Sequence, residues 1–510
     1  MSKQDINNTK KNIITNITLQ VVLGASGLII PRLILLSYGS EMNGMINSIT
    51  QFLTYAGMVE LGIMNAAVPM FYKPFVIRDY RSINEIFNTV RWKYISSGCL
   101  YLILVLVVAL VYPVVVDRFI PYSHIVFLTM ILALPTVIDF AAIGKYKALL
   151  LANQKYYIIN GIRVGATILI LIVSCMFLAR DYNILIVKLV PGIMRFAEAI
   201  VIYWYVKRKY NFLYNDKNIT SVQVKIPQQK NAFIHQITAL INYNTDLIVL
   251  TVLGGREKLK IVSVYSVYAL AYSFINNLNG GIVVSFEAVF GEMIAEENIC
   301  RLNSIFRKIE YWFYILIFFM YSCYVALIIP FIRNYTTNIQ DINYIDWKYG
   351  VLFALSGILA SLKDVHFLII KGYGHFKQTQ KHLIIQALIN IFLSVVLVPK
   401  GGVIGVLIGT NVGHVIADIG IVSYVEKHLL KEERHYTLHM IVRNILLFIF
   451  LAYFEIYFMW MVSGWGQWII CASIICVVNL IIYIMINGLA DKDAFWWGVD
   501  MVVSKFRDIV

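Results

Sequence analysis

The feature that most constrains this chain is the recurrence, along its whole length, of apolar stretches as long as a bilayer core is thick. A hydrocarbon core of roughly 30 Å takes about 20 apolar residues of helix. Such stretches fall near residues 12–37, 42–70, 94–116, 122–144, 156–179, 182–206, 231–253, 261–290, 309–332, 346–370, 382–399, 402–424, 437–459 and 465–487. The sequence therefore predicts an all-α integral membrane protein of about 14 transmembrane helices. Composition agrees, because 59% of the 510 residues are hydrophobic and 14% charged, whereas soluble chains are about 45–50% apolar and about a quarter charged. The first span is not expected to be a cleaved signal peptide. It follows the polar MSKQDINNTKK, is dotted with Asn and Gln, and has no small-residue cleavage site after it.

The 43 basic and 29 acidic residues give a net charge of +14, which in a soluble protein would suggest nucleic acid. Here position decides. With the N-terminus inside, the inner segments hold about 30 of the 43 basic residues and the outer loops about 8. Both termini are expected in the cytoplasm, and the excess charge faces anionic membrane lipid, so no nucleic-acid partner is expected. Six cysteines, Cys99, Cys175, Cys300, Cys323, Cys471 and Cys476, show no metal-ligand spacing, and no metal or cofactor is expected. A P-loop is missing too, since Gly144-Lys145 is followed by Tyr146 and lacks the upstream glycine. Connections between spans are short, the longest outer one being about a dozen residues around Arg333 to Tyr344. These absences argue against an enzyme or an ATP-driven pump and for a secondary transporter.

The charged segment at 207–230 divides the chain into an N-lobe of six spans (1–206) and a C-lobe (231–424), with 425–510 carrying two further spans and a tail. The halves echo one another. PRLILLSYG from Pro31 resembles TDLIVLTVLGG from Thr245, and ALPTVIDFAAIGKYKALLLANQKYY from Ala133 resembles ALSGILASLKDVHFLIIKGYGHFKQ from Ala354. Six-span units enter the membrane from the same side, so the expected architecture is two pseudo-symmetric six-helix lobes around a central V-shaped cavity.

Polar stripes at helical spacing mark faces that avoid lipid. The first two spans carry Asn12, Asn16, Gln20, Asn43, Asn47 and Gln51; the seventh and eighth carry Asn231, His235, Asn242, Asp246, Asn276 and Glu287. Such stripes serve either as helix–helix contacts or as the wall of an aqueous cavity. Among charges, Lys188, Arg195 and Glu198 share a face of the sixth span, and Arg195 is too deep to snorkel. Arg195 is a candidate anion ligand, the alternative being an ion pair with Glu198. Arg163 and Lys363 lie nearer helix ends and are open to snorkelling, and Arg32, next to Pro31, is open to either the cavity or the outer interface. Glu60, Asp139, Asp246, Glu287 and Asp418, the last one turn from His414, are the intramembrane acids. Asp246, Glu60, Glu287 and Asp418, together with His414, are the candidates for ion coupling, the alternative again being structural ion pairs.

The segment PRLILLSYGSEMNGMINSITQFL (Pro31 to Leu53), followed by VELGIMNAAVPMFYKPF (Val59 to Phe75), resembles the opening of Wzx-like polysaccharide flippases. These belong to the multidrug/oligosaccharidyl-lipid/polysaccharide exporter superfamily. The matching features are Arg32 before an apolar run ending in Tyr38-Gly39, Asn43-Gly44, Glu60-Leu61-Gly62 and Tyr72-Lys73-Pro74. The resemblance implies a bacterial cytoplasmic-membrane protein that carries undecaprenyl-pyrophosphate-linked oligosaccharide from the inner to the outer leaflet. Polymerase and glycosyltransferase partners are implied with it. Arg195, Arg32, Arg163 and Lys363 then become candidate pyrophosphate contacts, and Asn16, Gln20, Asn47, Gln51, Asn242 and Asn276 candidate sugar contacts. A lipid II flippase and a cation-coupled drug exporter of the same superfamily are the competing readings.

Overall fold

The computed structural model describes residues 3–60, 63–116, 120–213, 245–255, 257–431, 435–459 and 462–507. Among them are helices and connecting turns, with no strand. Ten helices are long and apolar enough to cross a membrane, which makes the chain a multi-pass membrane protein. Two of the ten, Lys10–Glu60 and Phe376–Leu430, contain 51 and 55 residues, far beyond one crossing. Both reverse at a glycine in the left-handed region, Gly39 (φ 77°) and Gly402 (φ 51°), a conformation that costs glycine little. The Ile184–Lys209 helix matches the ten in length but carries Lys188, Arg195 and Glu198 in its middle. Counting each hairpin as two crossings, every expected span is present except 231–253, most of which lies outside the described residues.

The second hairpin shows how the sequence dictates the reversal. Gly405, Gly409 and Gly413 recur every fourth residue, and a Cβ on them would meet the Leu397 carbonyl carbon at 2.7 Å, the Ser394 nitrogen at 2.9 Å and the Gln386 oxygen at 3.0 Å. As the glycine number rises the partner number falls, so the two arms are antiparallel and in backbone contact. Small residues at this spacing permit that approach where no hydrophobic effect drives association. Asn390 Oδ1 accepts from Ser394 on its own arm (3.1 Å) and from Thr410 on the other (3.2 Å). Gly409→Leu is expected to force the arms apart and remove most folded protein, read as loss of a monodisperse peak in size-exclusion chromatography. Gly401→Leu, where a Cβ meets nothing within 4 Å, is the control expected to leave it.

In the first hairpin Asn12 donates to the Gln154 carbonyl (3.0 Å) and accepts from Tyr157 N (2.6 Å), while Tyr38 reaches the Tyr182 carbonyl. The outgoing arm therefore runs alongside the Tyr157–Leu178 helix. The returning arm ends near Glu60, which accepts from Tyr94 (2.9 Å).

The chain divides into two compact units, residues 1–252 with 256–262 and residues 253–255 with 263–510. Described separately, the units repeat the same local devices. Tyr80–Val115 and Ile299–Tyr335 are each preceded by a left-handed residue, Arg78 (φ 57°) and Glu297 (φ 55°). Each then has a side-chain N-cap, Asp79 on Ser82 N and Asn298 on Arg301 N, both at 3.1 Å. The Ser82 hydroxyl and backbone amide hold the Asp79 carboxyl below the ordinary carboxylate range. Five residues past each cap an asparagine closes its own unit: Asn84 donates to Phe212 O (3.0 Å) and Asn303 to Leu430 O (2.9 Å). Gly39 is matched by Gly255 (φ 80°).

Candidate functional site

In the first unit, Pro135 lies inside the Tyr122–Ile138 helix and is followed by a π-helical turn, Asp139–Ile143. Proline removes one ladder donor and its ring crowds the preceding turn, and a π-turn re-aims the side chains after it. The side chain at this turn is Asp139. Opposite it, on the Ile184–Lys209 helix, the Arg195 guanidinium bridges the Asp139 and Glu198 carboxylates. Lys147 Nζ stands 3.2 Å from Asp139 Oδ2, and Arg163 Nη1 stands 3.6 Å from Glu198 Oε2. Tyr156 is close enough to Asp139, Arg195 and Glu60 to feel their charges. Glu60, Asp139 and Glu198 are thus balanced by Lys147, Arg163 and Arg195 in one intramembrane network.

Burial separates the roles within it. Arg195 and Glu198 are 4% and 3% exposed, whereas the Arg163 side chain is 35% exposed. A guanidinium so deep, charged at any ordinary pH, is costly to bury without carboxylate partners. Arg195 therefore neutralises two acids, and Arg163 presents the network to its surroundings.

The second unit holds a counterpart of opposite polarity. In the aligned segments Asp139–Ile143 falls opposite Ala360–Asp364, and there the helix breaks again: Trp347–Leu362 ends, Lys363 caps it, and Asp364–Tyr373 begins. Lys363 Nζ donates to Asp418 Oδ1 and His414 Nδ1, both at 3.1 Å, and to the carbonyls of Leu359 (3.3 Å) and Ala360 (3.2 Å). Gln386 Nε2 also approaches His414 Nδ1, at 2.9 Å. With two donors on Nδ1, the hydrogen-bond network assigns the His414 proton to Nε2. Lys363 is 2% and Asp418 7% exposed. Aligning Tyr205-Val206 with Tyr424-Val425 puts Arg195 opposite His414. Each unit thus has a buried ion pair between its fourth and sixth spans, with the acid on the fourth in one and on the sixth in the other.

The remaining sequence candidates lie apart. Asp246 is buried next to Thr245, whose hydroxyl bonds Tyr55 (2.8 Å). Glu287 is exposed and paired with Lys371 at 3.3 Å. Asn16 and Gln20 are exposed, Arg32, Asn47, Gln51 and Asn276 are half-buried, and Gln51 Nε2 is a buried donor without a partner among the described residues. Asn242 lies outside the described residues. Sequence reasoning missed Glu310, which is fully buried, accepts from Thr437 (3.1 Å) and stands 3.5 Å from His366 Nε2. An isolated acid in the apolar run IEYWFY was the signal. Among the described residues no group of three metal-binding side chains forms.

The fold is one shared with solved transporters and flippases. The chain is similar to the lipid II flippase MurJ in its inward closed conformation, with a TM-score of 0.64 at 16% identity over 94% of this chain and 99% of that one. It is similar also to the eukaryotic MATE transporter AtDTX14, with a TM-score of 0.52 at 13% identity over 86% of this chain and 99% of that one. A mutant of the Vibrio cholerae MATE transporter VcmN gives a TM-score of 0.50 at 13% identity over 86% of this chain and all of that one. No protein-family model and no curated protein sequence matches this chain.

Proposed function

We propose that this chain is a flippase that carries an undecaprenyl-pyrophosphate-linked oligosaccharide from the inner to the outer leaflet of a bacterial cytoplasmic membrane, both termini being cytoplasmic. The observation that carries the reading is the charge network of the first unit. A lipid-linked pyrophosphate cannot cross hydrocarbon without cations, and here Arg163 and Arg195, on two neighbouring apolar helices, share one acid, Glu198. In this reading the two lobes rock between inward and outward openings. The cargo phosphate displaces Glu198 from Arg163 and then from Arg195, with Arg32 as a further contact. Asn16, Gln20, Asn47, Gln51, Asn242 and Asn276 hydrogen-bond the sugars. Lys363 and Asp418 in the other lobe, with His414 beside them, take up and release the coupling ion, so transport draws on an ion gradient. Glu60, Asp246 and Glu287 are secondary coupling candidates. Polymerase and glycosyltransferases act downstream and upstream of it.

The likeness to MurJ over 94% of the chain favours a second reading, a lipid II flippase. Complementation separates the two. Expression is expected to restore surface polysaccharide in a strain lacking its polysaccharide flippase and not to rescue depletion of the lipid II flippase; the opposite pattern assigns the second reading.

A further inference from the structure

We propose that the inner end of the last two membrane-crossing helices holds the headgroup of an aminophospholipid, its phosphate on Arg443 and its ammonium on Asp491. The pocket, of about 350 Å³, is lined by Tyr436, His439, Met440, Arg443, Ala490 and Asp491. Its floor is built. Arg443 donates through Nε (3.0 Å) and Nη2 (2.6 Å) to Asn487 Oδ1. Asn487 and Asn444 are fully buried and bond each other, Nδ2 of each to Oδ1 of the other, at 3.0 and 3.2 Å. Asn444 Nδ2 and Asn487 Nδ2 also donate to the carbonyls of Met440 and Tyr483, each at 2.9 Å.

This amide pair fixes the guanidinium but brings it no negative charge. Among the described residues Arg443 pairs with no carboxylate, and its Nη1 has no protein partner. That distinguishes it from Arg195 and Lys363, which both have acids. A half-buried guanidinium in a membrane-crossing helix is costly without an anion, and its planar fork suits a phosphate.

At the rim, Asp491 is held by the Tyr436 hydroxyl at 2.6 Å and caps the following helix through Ala494 N at 3.0 Å. An acid this near would repel a simple anion, whereas a zwitterion satisfies both charges at once. Depth agrees with a headgroup. Asp491 joins the end of Trp465–Ala490 to Lys492–Arg507, whose Phe495 stacks on Trp312 (6.1 Å) while Lys308 lies over the Trp497 ring (5.7 Å). Aromatic and basic side chains of this kind mark the membrane–water interface.

The test is native mass spectrometry of the full chain, purified in detergent without oligosaccharide lipid, titrated with phosphatidylethanolamine, phosphatidylglycerol, undecaprenyl pyrophosphate or inorganic phosphate. Wild type is expected to retain phosphatidylethanolamine over phosphatidylglycerol. Arg443→Gln should weaken that retention about tenfold, the loss of one charge-assisted contact, and Arg443→Lys should keep a measurable part of it. Asp491→Asn should abolish the preference between the two phospholipids while phosphate binding persists. Equal retention by Arg443→Gln, or displacement of the phospholipid by inorganic phosphate or by undecaprenyl pyrophosphate at equal concentration, overturns the proposal. If Arg443→Gln does not fold, the Arg443→Lys and Asp491→Asn arms decide alone. The readout involves no translocation, so its failure leaves the flippase reading untouched.

Discussion

Arg195→Ala is expected to destabilise the protein by about 3–5 kcal/mol, the cost of removing one partner from a buried ion pair, and to abolish rescue of a flippase-deficient strain. The size follows from geometry. Without the guanidinium, Asp139 and Glu198 face each other inside the membrane with only Lys147 at 3.2 Å and Arg163 at 3.6 Å to balance them. Thermal unfolding in detergent reads the first effect, and surface polysaccharide the second. A triple variant, Asp139→Asn with Arg195→Gln and Glu198→Gln, separates structure from transport. The triple variant leaves Lys147 and Arg163 without their acids, but both side chains are partly exposed, at 17% and 35%. No charge remains at the buried positions 195 and 198, so most of the stability should return. If the network handles the cargo phosphate, rescue stays absent in the triple variant; full rescue would reduce the network to a brace between two helices.

The second large effect is expected at Lys363. Lys363→Met leaves Asp418 unpaired in a site where both groups are almost fully buried, again a loss of about 3–5 kcal/mol. Lys363→Met combined with Asp418→Leu removes both charges and should recover most of the unfolding temperature. Transport by the double variant in proteoliposomes is then expected to be indifferent to an imposed proton or sodium gradient, because the groups that change charge are gone. Retained gradient dependence in a stable double variant would place coupling elsewhere, with Glu198, Glu60 and Asp246 as the next acids to change.

Much of the fold was legible because bilayer thickness imposes a length on every helix, and the length survives in the sequence as an apolar run. The reversals were legible only as gaps between runs: nothing in the apolar pattern says that Gly402 turns the chain back on itself, although Gly405, Gly409 and Gly413 at every fourth residue record the close contact that follows. The repeat was visible in two short echoes, whereas its firmer marks, Arg78 with Glu297 and Asp79 with Asn298, are backbone conformations and caps carried by unlike residues. Site reasoning from helical phase found Arg195, Glu198, His414 and Asp418 on their faces. It could not join Asp139 to Arg195 or Lys363 to Asp418, because those pairs form between helices and the distances depend on a π-turn and a helix break. Glu310 was passed over since one acid in an apolar run has no periodicity.

The most direct measurement of the central claim is leaflet translocation of a fluorescent undecaprenyl-pyrophosphate oligosaccharide in proteoliposomes, followed by its accessibility to a membrane-impermeant quencher. The account predicts that the wild-type chain speeds translocation well above protein-free vesicles, that Arg163→Gln slows it, and that an imposed ion gradient changes its rate. A wild-type rate equal to that of empty vesicles, with the same preparation folded and correctly inserted, would contradict the account.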